Sequence, residues 1–138
     1  MLLDTHVWIW LVSDEPRQLG PRTRRQLARA TGVRAASVST ASAFEIAALH
    51  TAGRLHLSQP VDRWIGNSIE RAGFKVIDIE RDIAIDAGMI PATALPDPFD
   101  RCLVATAREY GMPLVTRDRR ILDYAKRTGQ VRVLDASA

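Results

Sequence analysis

The chain has 138 residues, with 46% hydrophobic and 25% charged residues and a net charge of +3. That length fits one domain and leaves no room for a second core, and the composition is that of a folded soluble domain rather than a disordered one. One cysteine, Cys102, excludes an internal disulfide framework and a cysteine-ligated zinc site. No apolar run approaches the roughly 18 residues of a membrane span. The first apolar stretch carries Asp4 and His6 and lacks a basic start, so it does not read as a secretory leader. The cytoplasm is the expected location.

Short apolar runs alternate with helical patterns along the whole chain. Met1 to Thr5 reads as a buried strand and Val7 to Val12 as a helix, closed by the break Ser13-Asp14-Glu15-Pro16. Pro21 to Ala30 reads as an arginine-rich helix with proline in its first turn and Gly32 behind it. Val33 to Ser39 is a predicted second strand. Thr40 to Ala52 follows as a helix, with Ser39 or Thr40 as cap and Gly53 at its end. Pro60 to Ala72 is a helix ended by Gly73, Phe74 to Ile79 a strand and Arg81 to Ile90 a helix. After a loop with Pro91 and Pro96, Pro98 to Tyr110 forms a strong helical pattern stopped at Gly111. Pro113 to Thr116 reads as a short buried strand, Asp118 to Thr128 as a helix ended by Gly129, and Val131 to Leu134 as a last strand. This alternation predicts a single α/β domain over residues 1–138. Its centre is a mostly parallel sheet of about five short strands between helices. In such sheets ligands bind outside the carboxyl ends of the strands.

The basic residues are unusual in kind and place. Seventeen of the 19 are arginine, and six of them (Arg17, Arg22, Arg24, Arg25, Arg29, Arg34) fall in a stretch with no acid between Glu15 and Glu45. The planar guanidinium fork suits phosphate, although a solvated helix face produces the same pattern.

Four acids have apolar neighbours. Asp4 is the only carboxylate in the first 13 residues, and Glu45 is the only charge in residues 41–49. Asp100 opens the run Arg101-Cys102-Leu103-Val104-Ala105, and Asp118 stands two residues after Leu114-Val115-Thr116. Burial disfavours a carboxylate, at about 1.4 kcal/mol for each tenfold weakening of the acid. Acids placed this way call for a compensating charge, and Mg²⁺ or Mn²⁺ accept such oxygen donors. Asp4 and Asp118 follow strands, Asp97 and Asp100 share one helix face, and Glu45 sits early in a helix after the second strand, so the five acids can converge at one mouth of the sheet. Asp97 and Asp118 also read as helix caps, whereas Asp4 and Glu45 occupy no evident capping position.

Four stretches carry a resemblance: Leu2-Leu3-Asp4-Thr5-His6, Ser39-Thr40-Ala41-Ser42-Ala43-Phe44-Glu45-Ile46, Asp97-Pro98-Phe99-Asp100-Arg101 with Leu103-Val104-Ala105-Thr106-Ala107, and Leu114-Val115-Thr116-Arg117-Asp118. In this order they resemble the PIN-domain ribonucleases, and among those the toxins of the VapB–VapC type. The resemblance implies a PIN-like α/β/α sandwich and a Mg²⁺- or Mn²⁺-dependent endoribonuclease held inactive by a cognate VapB-type antitoxin. It implies Asp4, Glu45, Asp100 and Asp118 as catalytic metal-binding acids, Asp97 as a fifth metal-site acid, and Thr5 and Thr116 as residues that position water or phosphate. Arg117, Arg24 and Arg25 are expected to grip substrate. The branch often carries a histidine just before the Asp-Pro-Phe-Asp stretch. Here that position reads Ala94-Leu95-Pro96.

The expected chemistry is metal-assisted hydrolysis of RNA phosphodiester bonds without a nucleophilic side chain. The expected partners are RNA, the antitoxin and a second copy of the chain, with no membrane and no direct DNA binding by this chain alone. The apolar run Val7 to Val12 covers more than one helix face, so it must be buried or must bind something. Two alternatives stay open. One is a non-catalytic module that only binds RNA or antitoxin. The other is a different Mg²⁺-dependent phosphohydrolase of the haloacid dehalogenase type, which needs a second acid where this chain has His6.

Overall fold

The structure, a computed structural model, describes residues 1–13, 15–30 and 35–138. Asp14, the predicted helix end at Gly32, the Val33–Arg34 start of the second strand and the basic residue Arg34 lie outside the described residues.

Five strands form one sheet: β1 (Leu2–Leu3), β2 (Ser37–Ser39), β3 (Lys75–Ile77), β4 (Leu114–Thr116) and β5 (Val133–Asp135). Their order across the sheet is β3-β2-β1-β4-β5 and every pairing is parallel. Among the described residues seven helices connect and cover them: α1 (Thr5–Val12), α2 (Pro21–Ala28), α3 (Thr40–Thr51), α4 (Val61–Ala72), α5 (Arg81–Met89), α6 (Pro98–Glu109) and α7 (Arg119–Thr128). A short 3-10 turn spans Pro16–Gln18.

The two central strands send alternate side chains to opposite faces, as a period of two requires. Leu2 and Leu114 join the core beneath α5, α6 and α7, with Ile83, Leu103, Val104, Ile121 and Tyr124. Leu3 and Val115 join the other core, with Val7 and Trp8 of α1, Leu27 of α2, Ile46 of α3 and Trp64 of α4. The result is the expected three-layer sandwich, and β1 is buried on both faces, which explains its uninterrupted apolar sequence.

The strands are shorter than their apolar runs suggest. β1 stops at Leu3 because Thr5 and His6 already belong to α1. β5 begins at Val133, so Val131 is a buried approach residue and not strand. Helix ends follow the glycine punctuation: Gly73 and Gly129 take left-handed C-cap conformations at φ 66° and 64°, which side chains adopt only with strain.

The apolar helix α1 is explained by packing. Trp8 is fully buried, donates its Nε1–H to Ser68 Oγ at 3.0 Å and lies 6.1 Å from the Trp64 ring and 6.2 Å from the Phe74 ring. Among the described residues no helix is long and apolar enough to cross a membrane. Trp8→Ala is expected to destabilise the fold by about 3–5 kcal/mol. Leu11→Ala, on the exposed side of the same helix, is expected to cost less than about 1 kcal/mol. Urea unfolding of the two variants beside the parent protein checks both values.

Candidate metal centre

Because all five strands run parallel, their carboxyl ends share one edge. Asp4 leaves β1 there as the N-cap of α1, its Oδ1 accepting the Thr5 N–H at 2.7 Å. It therefore does hold a capping position, contrary to the sequence reading. Asp118 leaves the β4 end and caps α7, its Oδ1 accepting from Arg120 N at 2.7 Å and Ile121 N at 3.4 Å. Asp97 caps α6 by accepting the Phe99 N–H at 2.8 Å. One turn on, Asp100 is buried on α6. Glu45 lies in the second turn of α3, which follows β2 directly.

Two threonines hold the acids. Thr116 donates its hydroxyl to Asp4 Oδ2 at 2.6 Å and accepts the Asp118 N–H at 2.9 Å. Thr5 donates to Glu45 Oε2 at 2.7 Å, with Ser42 Oγ 2.8 Å from its hydroxyl. Both threonines are fully buried, and their hydroxyls are spent on carboxylates.

The electrostatics are those of uncompensated like charge. Burial raises the Asp4 pKa, opposed by the Thr116 and Thr5 hydrogen bonds and the charge of His6 and reinforced by Asp118. Burial also raises Glu45, against its Thr5 hydrogen bond, with Asp4 and Asp97 adding to the rise. Asp100 is pushed up to about 8, first by burial and then by Asp97, Asp118, Asp4 and Glu45. Among the described residues the ion pairs are Arg81–Asp82 and Arg108–Asp86, and neither includes any of the five acids.

This donor set suits a hard divalent cation. Among the described residues, Asp97, Asp118 and Glu45 each anchor one oxygen to the fold and leave the other without a protein partner, and Asp100 accepts no side-chain or capping hydrogen bond. Carboxylate oxygens without competing nitrogen or sulfur are what Mg²⁺ and Mn²⁺ prefer. The cage is not closed, however: among the described residues no three His, Cys, Asp or Glu side chains are already gathered to ion-coordinating distance. The acids interact through space and would have to draw together around an ion.

A cleft of about 180 Å³ beside the acids is lined by Asp4, His6, Trp10, Arg117 and Asp118. His6 packs against Trp10, with ring centroids 5.7 Å apart. Arg24 and Arg25 are exposed on α2 and line a separate surface groove with Pro21 and Ala28, so neither belongs to the acid cleft. The sequence reading missed the ring pair Phe44–Phe99, 5.5 Å apart, with Phe44 two-thirds exposed. Each ring immediately precedes a candidate ligand, Glu45 or Asp100, and that adjacency is the signal that marks them.

The raised acids set a stability profile. An acid whose folded pKa exceeds its unfolded value stabilises the fold fully below the unfolded value, and that stability is lost as pH rises through the folded value. For Asp100 the window runs from 3.8 to about 8. The metal-free protein is expected to melt at progressively lower temperature across that range. Asp100→Asn is expected to raise its melting temperature by several degrees at pH 8 and very little at pH 4. Calorimetry in EDTA checks this, and an Asp100→Asn protein that melts lower at pH 8 contradicts it.

A family model described as the PIN domain matches residues 1–127. Over 121 residues the chain is 35% identical to Ribonuclease VapC22 of Mycobacterium tuberculosis (strain ATCC 25618 / H37Rv), a match that covers 88% of each protein. Its fold is similar to that of a chain in DNA-bound VapBC from Salmonella typhimurium, with a TM-score of 0.65 and 20% identity, covering 96% of this chain and 95% of that one. It is also similar to a chain in VapBC2 from Rickettsia felis bound to a promoter DNA fragment, with a TM-score of 0.64 and 14% identity, covering 96% of each. The sheet order, the acids at its carboxyl edge and the match along most of the sequence agree, and the chain belongs to the PIN-domain family.

Proposed function

We propose that this protein is a divalent-cation-dependent endoribonuclease, the toxin of a toxin–antitoxin pair, acting through Asp4, Glu45, Asp100 and Asp118, with Asp97 at the edge of the site. The observation that carries the proposal is the group of buried and half-buried carboxylates at the sheet edge, which share in neither of the arginine–carboxylate ion pairs among the described residues. The likeness to a protein named a ribonuclease supplies the substrate class.

Bound Mg²⁺ or Mn²⁺ would polarise the scissile phosphate and acidify an attacking water. The chain's own part is to present ionised oxygens in a fixed array. Asp4 is oriented by Thr116 and Thr5, and Glu45 by Thr5. Asp118 and Asp97 are aimed by the helix starts they cap. Asp100 must lose its proton to act as a ligand, and its raised pKa opposes metal binding near neutrality, as do the raised values of Asp4 and Glu45. Exposed arginines around the mouth, with Arg117 nearest and Arg24 and Arg25 beyond it, supply salt-dependent attraction for the RNA backbone.

The solved structures with this fold include VapBC complexes, and a VapB-type antitoxin is the proposed inhibitor. DNA contact is assigned to that partner and not to this chain, and a homodimer is the proposed assembly. A non-catalytic binding module is the second reading, favoured by the open arrangement of the acids.

Purified, antitoxin-free protein is expected to cleave RNA at discrete positions with Mg²⁺ or Mn²⁺ and not with EDTA. Asp100→Asn is expected to slow cleavage by at least about 100-fold, because removing a ligand exceeds the effect of disturbing its surroundings. At subsaturating metal the rate is expected to rise with pH towards about 8, following Asp100. Folded protein that binds RNA but cleaves none, and whose stability ignores either metal, would favour the binding module.

A further inference from the structure

Arg117 joins Thr116 to Asp118, and its side chain crosses the mouth of the acid cleft to the 3-10 turn. Its Nη1 donates to the Gln18 main-chain oxygen at 2.7 Å and to Gln18 Oε1 at 3.1 Å. Its Cζ stands over the Trp10 ring, 5.5 Å from the centroid, in cation–π contact. Asp4 and Asp118 line the same cleft, yet among the described residues no carboxylate pairs with this guanidinium. Asp135 feels its charge, but the Asp135 carboxylate is engaged by Ser137 N and Oγ at 2.9 and 2.6 Å.

Only Nη1 is therefore tied to protein. Nε and Nη2 have no partner among the described residues, and these two N–H groups form the side-on edge that matches two oxygens of one phosphate. The guanidinium plane is held by a ring on one side and a main-chain acceptor at one end. An arginine so fixed loses less conformational freedom on binding than a free surface arginine. The same residue also lines a second groove of about 370 Å³, together with Arg17, Gln18, Gly20 and Arg24. Arg117 thus stands where the acid cleft meets a groove carrying two further cations.

We propose that Arg117 is a preset clamp for an RNA phosphate next to the scissile one, with Trp10 and Gln18 as positioning residues, and that the strand leaves the acid cleft over Arg117 towards Arg17 and Arg24. This rests on the ribonuclease reading. RNA suits the observation better than an acidic peptide does. Residues 16–30 contain no acid, and successive cations along a groove that begins at the acids match a polymer bearing one charge per unit. The side chains of Trp10 and Gln18 act through Arg117 and touch no reacting atom.

The test is Mg²⁺-supported cleavage of a short single-stranded RNA by the parent protein, Arg117→Ala, Arg117→Lys, Trp10→Leu and Gln18→Ala, each first shown to be folded by thermal unfolding. Arg117→Ala is expected to raise KM about tenfold, the loss of one charge-assisted contact, with kcat changed much less. The slope of log KM against log salt should fall by about 0.7, one single-strand phosphate contact. Trp10→Leu and Gln18→Ala should raise KM in the same direction and add little in the Arg117→Ala background, and Arg117→Lys should not restore the parent value. Replacing single phosphates by neutral methylphosphonates locates the contact. One position beside the cleavage site should cost the parent about the same factor and cost Arg117→Ala nothing. A parent enzyme that cleaves RNA, with an Arg117→Ala profile unchanged at every methylphosphonate position, overturns the clamp and leaves the nuclease reading standing. Unchanged RNA kinetics with weakened binding of an acidic protein partner also overturns it, in favour of a carboxylate ligand. A parent protein that cleaves no RNA with either metal removes the underlying reading and the clamp with it.

Discussion

The hydroxyl of Thr116 stands between two of the acids, giving its proton to Asp4 Oδ2 at 2.6 Å and accepting the Asp118 N–H at 2.9 Å. That one group ties the acid at the end of β1 to the acid at the end of β4, two strands already joined by their backbone ladder. A carboxylate buried like Asp4 needs donors close by to remain ionisable, and Thr116 with the Thr5 amide supplies them without adding positive charge. Valine at 116 would fill much the same space and leave Asp4 Oδ2 without its donor. The flanks of the centre depend on this anchor. The cap of α1 is Asp4 itself, and the segment bearing Arg117 runs from Thr116 to Asp118.

Capping and charge are combined in the same side chains. Asp4, Asp97 and Asp118 each begin a helix, so part of the attraction that keeps them near one another comes from helix N-termini and their unsatisfied N–H groups. This stabilises anions at the sheet edge without using lysine or arginine, which would compete with a metal ion. Asp100 has no such cap, and burial together with the four neighbouring carboxylates pushes its pKa up to about 8. Asparagine at 4, 97 or 118 preserves a cap while deleting the charge, whereas alanine removes both. Only the asparagine series separates chemistry from helix stability.

Much of this arrangement is legible in the amino-acid order, for identifiable reasons. Glycine and proline mark the helix limits, so α3, α4, α6 and α7 fall within a residue or two of their expected ends. A two-residue strand such as β1 cannot declare its own length, because Leu2-Leu3 reads the same in a longer strand, and the turn into α1 depends on Asp4 finding Thr116 far along the chain. The acids stood out because their neighbours are apolar. The roles of Thr5 and Thr116 did not, since whether a hydroxyl faces solvent or a carboxylate is decided by tertiary packing. The link from Gln18 and Trp10 to Arg117 was equally hidden: Gln18 lies 99 residues from Arg117 and holds it through its main-chain oxygen and its Oε1, beside the Trp10 ring, and no local pattern encodes such a contact.

The position of β1 bears on the order in which the acid cluster can assemble. This strand precedes the other four in the chain yet occupies the centre of the sheet, between β2 and β4. Its second neighbour is not made until residues 114–116, and Asp4 waits for a partner 112 positions downstream. Contacts so distant in sequence form late, because the intervening chain must first be closed into a loop. A nascent chain stopped before Thr116 therefore has Asp4 without its anchor and no Asp118 at all. The five acids therefore cannot stand together at the sheet edge before residues 114–118 have joined the chain.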